Sequence, residues 1–268
     1  MKLNNVVRKV ATVTSVAGLM VAGVFAVPAA HAARSTVVIH ETNAFTSLNT
    51  GTPDTNLTTN SDIAYMTGMG FNYYDDKKNL VANTVLGSYK VIKNKSNDFR
   101  VQWTVNPGRV WSDGTPIDAR DMLLGHVLSS SAYSKAAGLG DPNDEKNPPA
   151  FNSLGYGGTY DSHIVGLPTI SADGMSVTLQ FDAPIPNWEL YGPGISPAYT
   201  VLEIANGLKG LQSVADNNKA KDAVVKAIQS KDSATLKKMA KVWNEAYNIT
   251  TIENNLISSK SKLEFILF

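Results

Sequence analysis

The chain has 268 residues, 43% of them apolar and 18% charged, with a formal net charge of +1. That length can bury one large core or two modest ones, and the balance excludes a disordered polar tail. Lys and Arg are scattered, the densest group being Lys237, Lys238 and Lys241 on the wet side of a helix, so no nucleic-acid partner is expected.

In chain order, Lys2, Arg8 and Lys9 precede an apolar run over 10–27, and Pro28, Ala29, Ala30, His31 and Ala32 follow it. This is the three-zone plan of a secretory signal over 1–32, with Ala30-His31-Ala32 as the peptidase site, and it predicts an exported protein. The alternative is an uncleaved membrane anchor, since the run approaches the ~20 residues that span a bilayer. Cysteine is absent from the whole chain. Its absence removes disulfides, thiolate metal sites, a Cys nucleophile and lipid attachment at the cleavage site, so a lipoprotein is not expected.

Residues 35–40 are β-branched and apolar, which predicts a strand leading into a polar loop over 41–60, where Gly51 and Pro53 disfavour helix. Segments 87–92 and 99–105 alternate with period two around Asn94, Ser96, Asn97 and Asp98, and predict a hairpin. Asn106-Pro107-Gly108 ends it, and Ser112-Asp113-Gly114-Thr115-Pro116 forms a tight turn. Asp118 is a fitting N-cap, with Asp121 in the first turn of a helix running to about Ser130 along Met122, Leu123, His126 and Val127. The density of Gly, Pro, Asn and Asp over 137–160 predicts a long surface loop. A second hairpin is expected from 165–170 and 176–181 across Asp173-Gly174, closed by Pro184 and Pro186. Two amphipathic helices follow, 216–229 with Ala220, Ala223, Val224, Ala227 and Ile228 inward, and 233–247 with Leu236, Met239, Ala240, Trp243 and Ala246 inward. Trp243 and the methionines read as core.

Strands and helices are interspersed, yet the strands pair as antiparallel hairpins, so the class is mixed α/β (α+β), without internal repeat. An enzyme is not expected. His31, His40, His126 and His163 form no metal-spaced pair, and no Gly-x-Ser-x-Gly elbow occurs. Asn56-Leu57-Thr58 and Asn248-Ile249-Thr250 match the glycosylation pattern, which is common by chance.

The stretch from Asn106 to Asp121 resembles the signature of solute-binding family 5, the oligopeptide, dipeptide and nickel receptors of ABC importers. Trp111, Ser112, Asp113, Gly114, Pro116, Ala119 and Asp121 match its order of strand, aromatic, Ser-Asp-Gly-x-Pro and helix. The stretches 71–89 and 195–203 are similar to flanking segments of that family. The resemblance implies a periplasmic-binding-protein-like fold of the type II, peptide-binding class. Residues 33–254 would form the N-terminal part of lobe I with its small subdomain, and 255–268 an aberrant tail where the second lobe is missing. It further implies an extracytoplasmic receptor for oligopeptides, partnered by a membrane permease and needing no cofactor, its binding impaired by truncation. Trp111, Ser112, Asp113, Gly114, Pro116 and Asp121 would serve the fold, with no metal or catalytic role. Asn43, Ala44 and Phe45 are the candidate peptide contacts, because the loop after the first strand lines the cleft in relatives; Phe45 capping the core and Asn43 making a turn is the competing reading. Nickel or haem binding within the same family, with His163 the one plausible exported ligand, and a surface interaction role remain as alternatives.

Overall fold

The computed structural model describes residues 40–248, and every element below belongs to a unit beginning at Thr42. The expected signal over 1–32, nearly all of the expected strand 35–40 and the expected tail 255–268 lie outside the described residues.

Chain order starts with a 3-10 turn, Pro53–Thr55, and helix α1, Thr58–Thr67. A small antiparallel ribbon follows, β1 Asn72–Tyr74 with β2 Leu80–Ala82. The main sheet then opens with β3, Gly87–Lys95, and β4, Asp98–Val105. Short helices α2 Leu123–Val127, α3 Ser131–Ala136 and α4 Thr159–His163 lead to β5 Thr169–Ile170 and β6 Ser176–Phe181. Helices α5 Ala198–Ala205, α6 Val214–Ser230 and α7 Ser233–Glu245 complete the order. The class is mixed α/β, as the sequence predicts.

The four-stranded sheet runs β3-β4-β6-β5, antiparallel throughout. Its register follows from side-chain alternation. Every second residue of β4 is buried, and the pairs Phe99↔Phe181, Val101↔Leu179 and Trp103↔Val177 stack along one face. A one-residue slip of β6 against β4 would turn Val177, Leu179 and Phe181 outward, at about 1.5–3 kcal/mol for each large side chain, so the register is strongly specified. Gly174, with φ of +71°, supplies the left-handed step of the β5–β6 turn. The helices add Met122, Leu123, Leu124, Val127, Tyr199, Ile228, Leu236 and Met239 to the same continuous core.

Three expectations are corrected. The loop predicted over 41–60 contains the 3-10 turn and the start of α1, because that helix is anchored by a polar residue and shows no apolar stripe. Asn60 is fully buried, accepts hydrogen bonds from the Thr46 and Ser47 amides, and donates to the Thr46 hydroxyl and the Thr55 carbonyl. The helix expected from Asp118 to about Ser130 is a 3-10 turn, Ala119–Met122, followed by α2, and it stops at Val127. Ser130 then caps α3, a helix that periodicity does not reveal. The expected surface loop over 137–160 is irregular in backbone but is not confined to the surface. Leu139 and Phe151 are 1% and 0% exposed and pin it to the core.

Candidate binding cleft and the polar lock beside it

Trp111 opens a reversal in which its amide donates to the Thr115 carbonyl and the Gly114 amide donates back to the Trp111 carbonyl. Gly114 sits at φ +82°, and the Asp113 carboxylate accepts from the Thr115 amide. Trp111 is buried, Ser112 and Pro116 are exposed, and a single bridge joins Val110 to Pro116. Asp118 and Asp121 then form a reciprocal capping box on the following 3-10 turn.

This unit is tied to α5 and α6 by polar side chains. Asp113 accepts from the Tyr199 hydroxyl at 2.7 Å and from the Asn217 amide at 2.9 Å, and Asn217 also donates to Thr115 at 2.8 Å. Lys221, 2% exposed, places its ammonium 2.6 Å from Asp121, 3.6 Å from Asp118 and 5.5 Å from the centre of the Tyr199 ring. Arg120 grips Asp118 and reaches Asp222 at 2.8 Å and the Asn218 side-chain oxygen at 2.6 Å. Burial pushes the Asp121 carboxyl up to about 6, against the pull of Lys221. Burial also pushes Asp118 upward, but the Arg120 hydrogen bonds and the Lys221 charge outweigh it and hold that carboxyl below its ordinary range. The lock is an anchoring device on a helix face whose buried stripe, Asn217, Lys221, Val224 and Ile228, begins with two polar residues. Periodicity assigns that face to Ala220, Ala223, Val224, Ala227 and Ile228; the last three are buried, but Ala220 is half-buried and Ala223 exposed. The spacing of four between Asn217 and Lys221 is the signal that could have found it, but a lysine is ordinarily assigned to water.

A cleft of about 390 Å³ opens elsewhere on the unit, between Gly51, the segment 153–160, the segment 190–194 and Trp243, with Leu128 and Ser129 of the α2–α3 connection. Its walls are pared to backbone by glycine. A Cβ on Gly192 would stand 2.7 Å from the Trp103 ring, one on Gly125 2.9 Å from the Gly194 nitrogen, and one on Gly51 3.0 Å from the Trp243 ring. The amides of Gly192 and Gly194 donate to no group among the described residues. Trp243 is half-buried, and its indole donates to the Asn152 carbonyl at 3.2 Å. Tyr160, at the cleft wall, is hydrogen-bonded to buried His126 behind it at 3.0 Å, and burial pushes the His126 imidazole down to about 4. Asp161 accepts from the Ser131 amide and hydroxyl and from the Gly157 amide, which fixes the same segment.

Of the expected contacts, Asn43 and Ala44 are exposed and Phe45 is half-buried. The Asn43 carbonyl accepts from Thr59. None of the three lines the cleft, whereas Gly51 at the end of their loop does. Sequence reading places 153–160 in the long loop over 137–160 without assigning it contacts and does not single out 190–194, although Gly155-Tyr156-Gly157-Gly158 and Gly192-Pro193-Gly194 are visible as runs where backbone could be presented bare. His163 closes α4 and pairs with Asp182 at 2.8 Å. Among the described residues no group of three or more His, Asp or Glu is placed to hold a metal ion, and no helix is long and apolar enough to cross a membrane.

No family model matches the chain, and no curated protein matches it. Among solved structures it is similar to the periplasmic EDTA-binding protein EppA, at 18% identity and a TM-score of 0.45 over 60% of this chain and 27% of that one. It is also similar to the oligopeptide-binding protein of Thermus thermophilus complexed with pentapeptide, at 17% identity and a TM-score of 0.37 over 67% of this chain and 29% of that one. The chain thus spans less than a third of the length of either, and both likenesses are partial.

Proposed function

We propose that the chain is part of the first lobe of an exported, peptide-type solute-binding receptor of an ABC importer, and that it binds without catalysing a reaction. The observation that carries this reading is the unit from Trp111 to Asp121. The residues that resemble the family signature form a strand end, a glycine reversal and a capped helical turn, held by the buried Lys221–Asp121 pair. In this reading Trp111, Asp113, Gly114 and Asp121 serve rigidity, so that loops elsewhere on the lobe can meet the ligand.

The glycine-walled cleft supports the same reading. Bare amides at Gly192 and Gly194 suit the carbonyls of an extended peptide, which strand-like hydrogen bonds can hold without regard to sequence. Asn43, Ala44 and Phe45, which lie off this cleft wall, would meet only a ligand that extends beyond it. Capture at a membrane permease and location outside the cytoplasm belong to the same proposal, as does export by the N-terminal signal.

Calorimetric titration of the full chain with pooled tri- to hexapeptides tests it. Saturable binding in the millimolar to micromolar range, roughly −4 to −8 kcal/mol, is expected. Absence of any saturable signal up to about 10 mM, roughly ten times the weakest constant expected, removes the peptide reading.

A further inference from the structure

We infer that the cleft selects an uncharged, apolar side chain, aromatic before aliphatic; this rests on the solute-binding reading and specifies what its site accepts. Among the described residues that line the cleft, none is charged. Its polar side chains are confined to serine, threonine and tyrosine, and tyrosine and tryptophan rings contribute to the wall. Leu154 and Leu190, on separate lining segments, are 48% and 49% exposed, although the chain has a large core in which to bury leucine. Two exposed leucines beside Tyr160 and Trp243 make a surface that gains by being covered.

Charge and size then narrow the occupant. A carboxylate or ammonium entering this space would give up hydration and meet no counter-charge among the lining residues, which disfavours it. At about 390 Å³ the cleft lies near the lower end of the ~300–1,000 Å³ that ligand sites occupy, room for one ring with the amides flanking it. The amides of Gly192 and Gly194 donate to no described residue, which leaves them to solvent or to ligand carbonyls. Planar rings gain most against aromatic neighbours through offset or edge-to-face contact.

Gly158 offers a clean way to fill the cleft. Its backbone is extended, with φ of −86°, and an added Cβ would approach nothing nearer than the Gly155 carbonyl at 4.0 Å. Gly158→Ile therefore places a branched side chain at the wall without backbone strain.

The test follows the backbone amides and the Trp243 indole by NMR on the full chain during titration with N-acetyl-phenylalaninamide, N-acetyl-aspartic acid α-amide with its side-chain carboxylate free, and N-acetyl-lysinamide. The phenylalanine probe is expected to shift Trp243, Gly155 and Gly192 saturably, at least about ten-fold more tightly than either charged probe. Gly158→Ile should abolish the shift with a folded, dispersed spectrum. Leu154→Ser, at an exposed position that the core does not need, should weaken it about three- to ten-fold. Equal midpoints for the three probes, no saturable shift with phenylalanine, or unchanged binding in folded Gly158→Ile and Leu154→Ser overturns the inference. If the phenylalanine probe binds while the peptide pool does not, the apolar selectivity stands and the peptide reading falls. If peptides bind with no dependence on side chain, the receptor reading stands and the selectivity falls.

Discussion

Lys221 is the residue on which the anchoring of the Trp111 segment turns. Its ammonium is surrounded by Asp121, Asp118 and the Pro116 carbonyl, with almost no water access. Replacing it alone by methionine strands the buried Asp121 carboxylate, and a loss of about 3–5 kcal/mol is expected in denaturant unfolding. Pairing Lys221→Met with Asp121→Leu removes both charges at similar volume and should recover most of that loss; a double variant as unstable as the single one would show that the pair is worth more than its isosteric replacement. His126 makes a second residue-scale prediction, about pH. Its folded-state value of about 4 lies below the ordinary 6.5, so between those values the unfolded chain takes up a proton that the folded chain refuses. Stability from His126 is therefore full above pH 6.5 and falls away as pH drops towards 4, by up to about 3 kcal/mol. Asp121 works the other way between its ordinary 3.8 and about 6, because there the folded state holds the proton more readily, so raw stability curves mix the two. The difference between wild type and His126→Gln isolates the histidine. Chemical denaturation should show that the advantage of wild type shrinks steadily from about pH 7 to about pH 4, and a constant difference would refute the assignment.

At the level of elements, legibility follows the source of each element's stability. Both hairpins announce themselves because β4 and β6 alternate strictly and Asp173-Gly174 prescribes a tight turn, although the expected strand 165–170 is reduced to Thr169–Ile170. Gly174 has open space around its missing Cβ, so Gly174→Ala should cost about 1–2 kcal/mol from the positive φ alone, readable as a lower midpoint in urea. Helices α6 and α7 are legible from their apolar stripes, and Ser213 and Asp232 cap them as short polar residues should. Helix α1 is hidden because Leu57 offers no side-chain cap and its fixed point is the side chain of Asn60, whose partners lie up to 14 residues away. Helix α3 is too short for periodicity to register, and the loop over 137–160 defeats a compositional reading because two isolated side chains, Leu139 and Phe151, do the anchoring.

For the molecule as a whole, fold and site differ in how much local sequence records them. The sheet and helix pair are encoded in repeating patterns, whereas the cleft exists only where distant stretches converge. Gly51 and Trp243 touch its wall from positions nearly the full described length apart. Sequence reading places Trp243 in the core, which is half right, since the ring that packs over Gly51 also borders open space. The expected contacts Asn43, Ala44 and Phe45 came from resemblance alone, and the geometry sets Asn43 against α1 and leaves all three off the cleft wall.

The outermost described strand of the sheet carries a further implication. Among the described residues β3 is the long edge, and it presents exposed Lys90 and Lys95, a half-exposed Lys93, and a break in register between Val91 and Lys93. At the opposite border β5 offers two residues. A neighbouring copy trying to extend the ladder would meet ammonium groups and a kink on one side and too little strand on the other. Crowded copies are thereby discouraged from stacking into fibrils, even though the aromatic faces of this sheet would otherwise favour it.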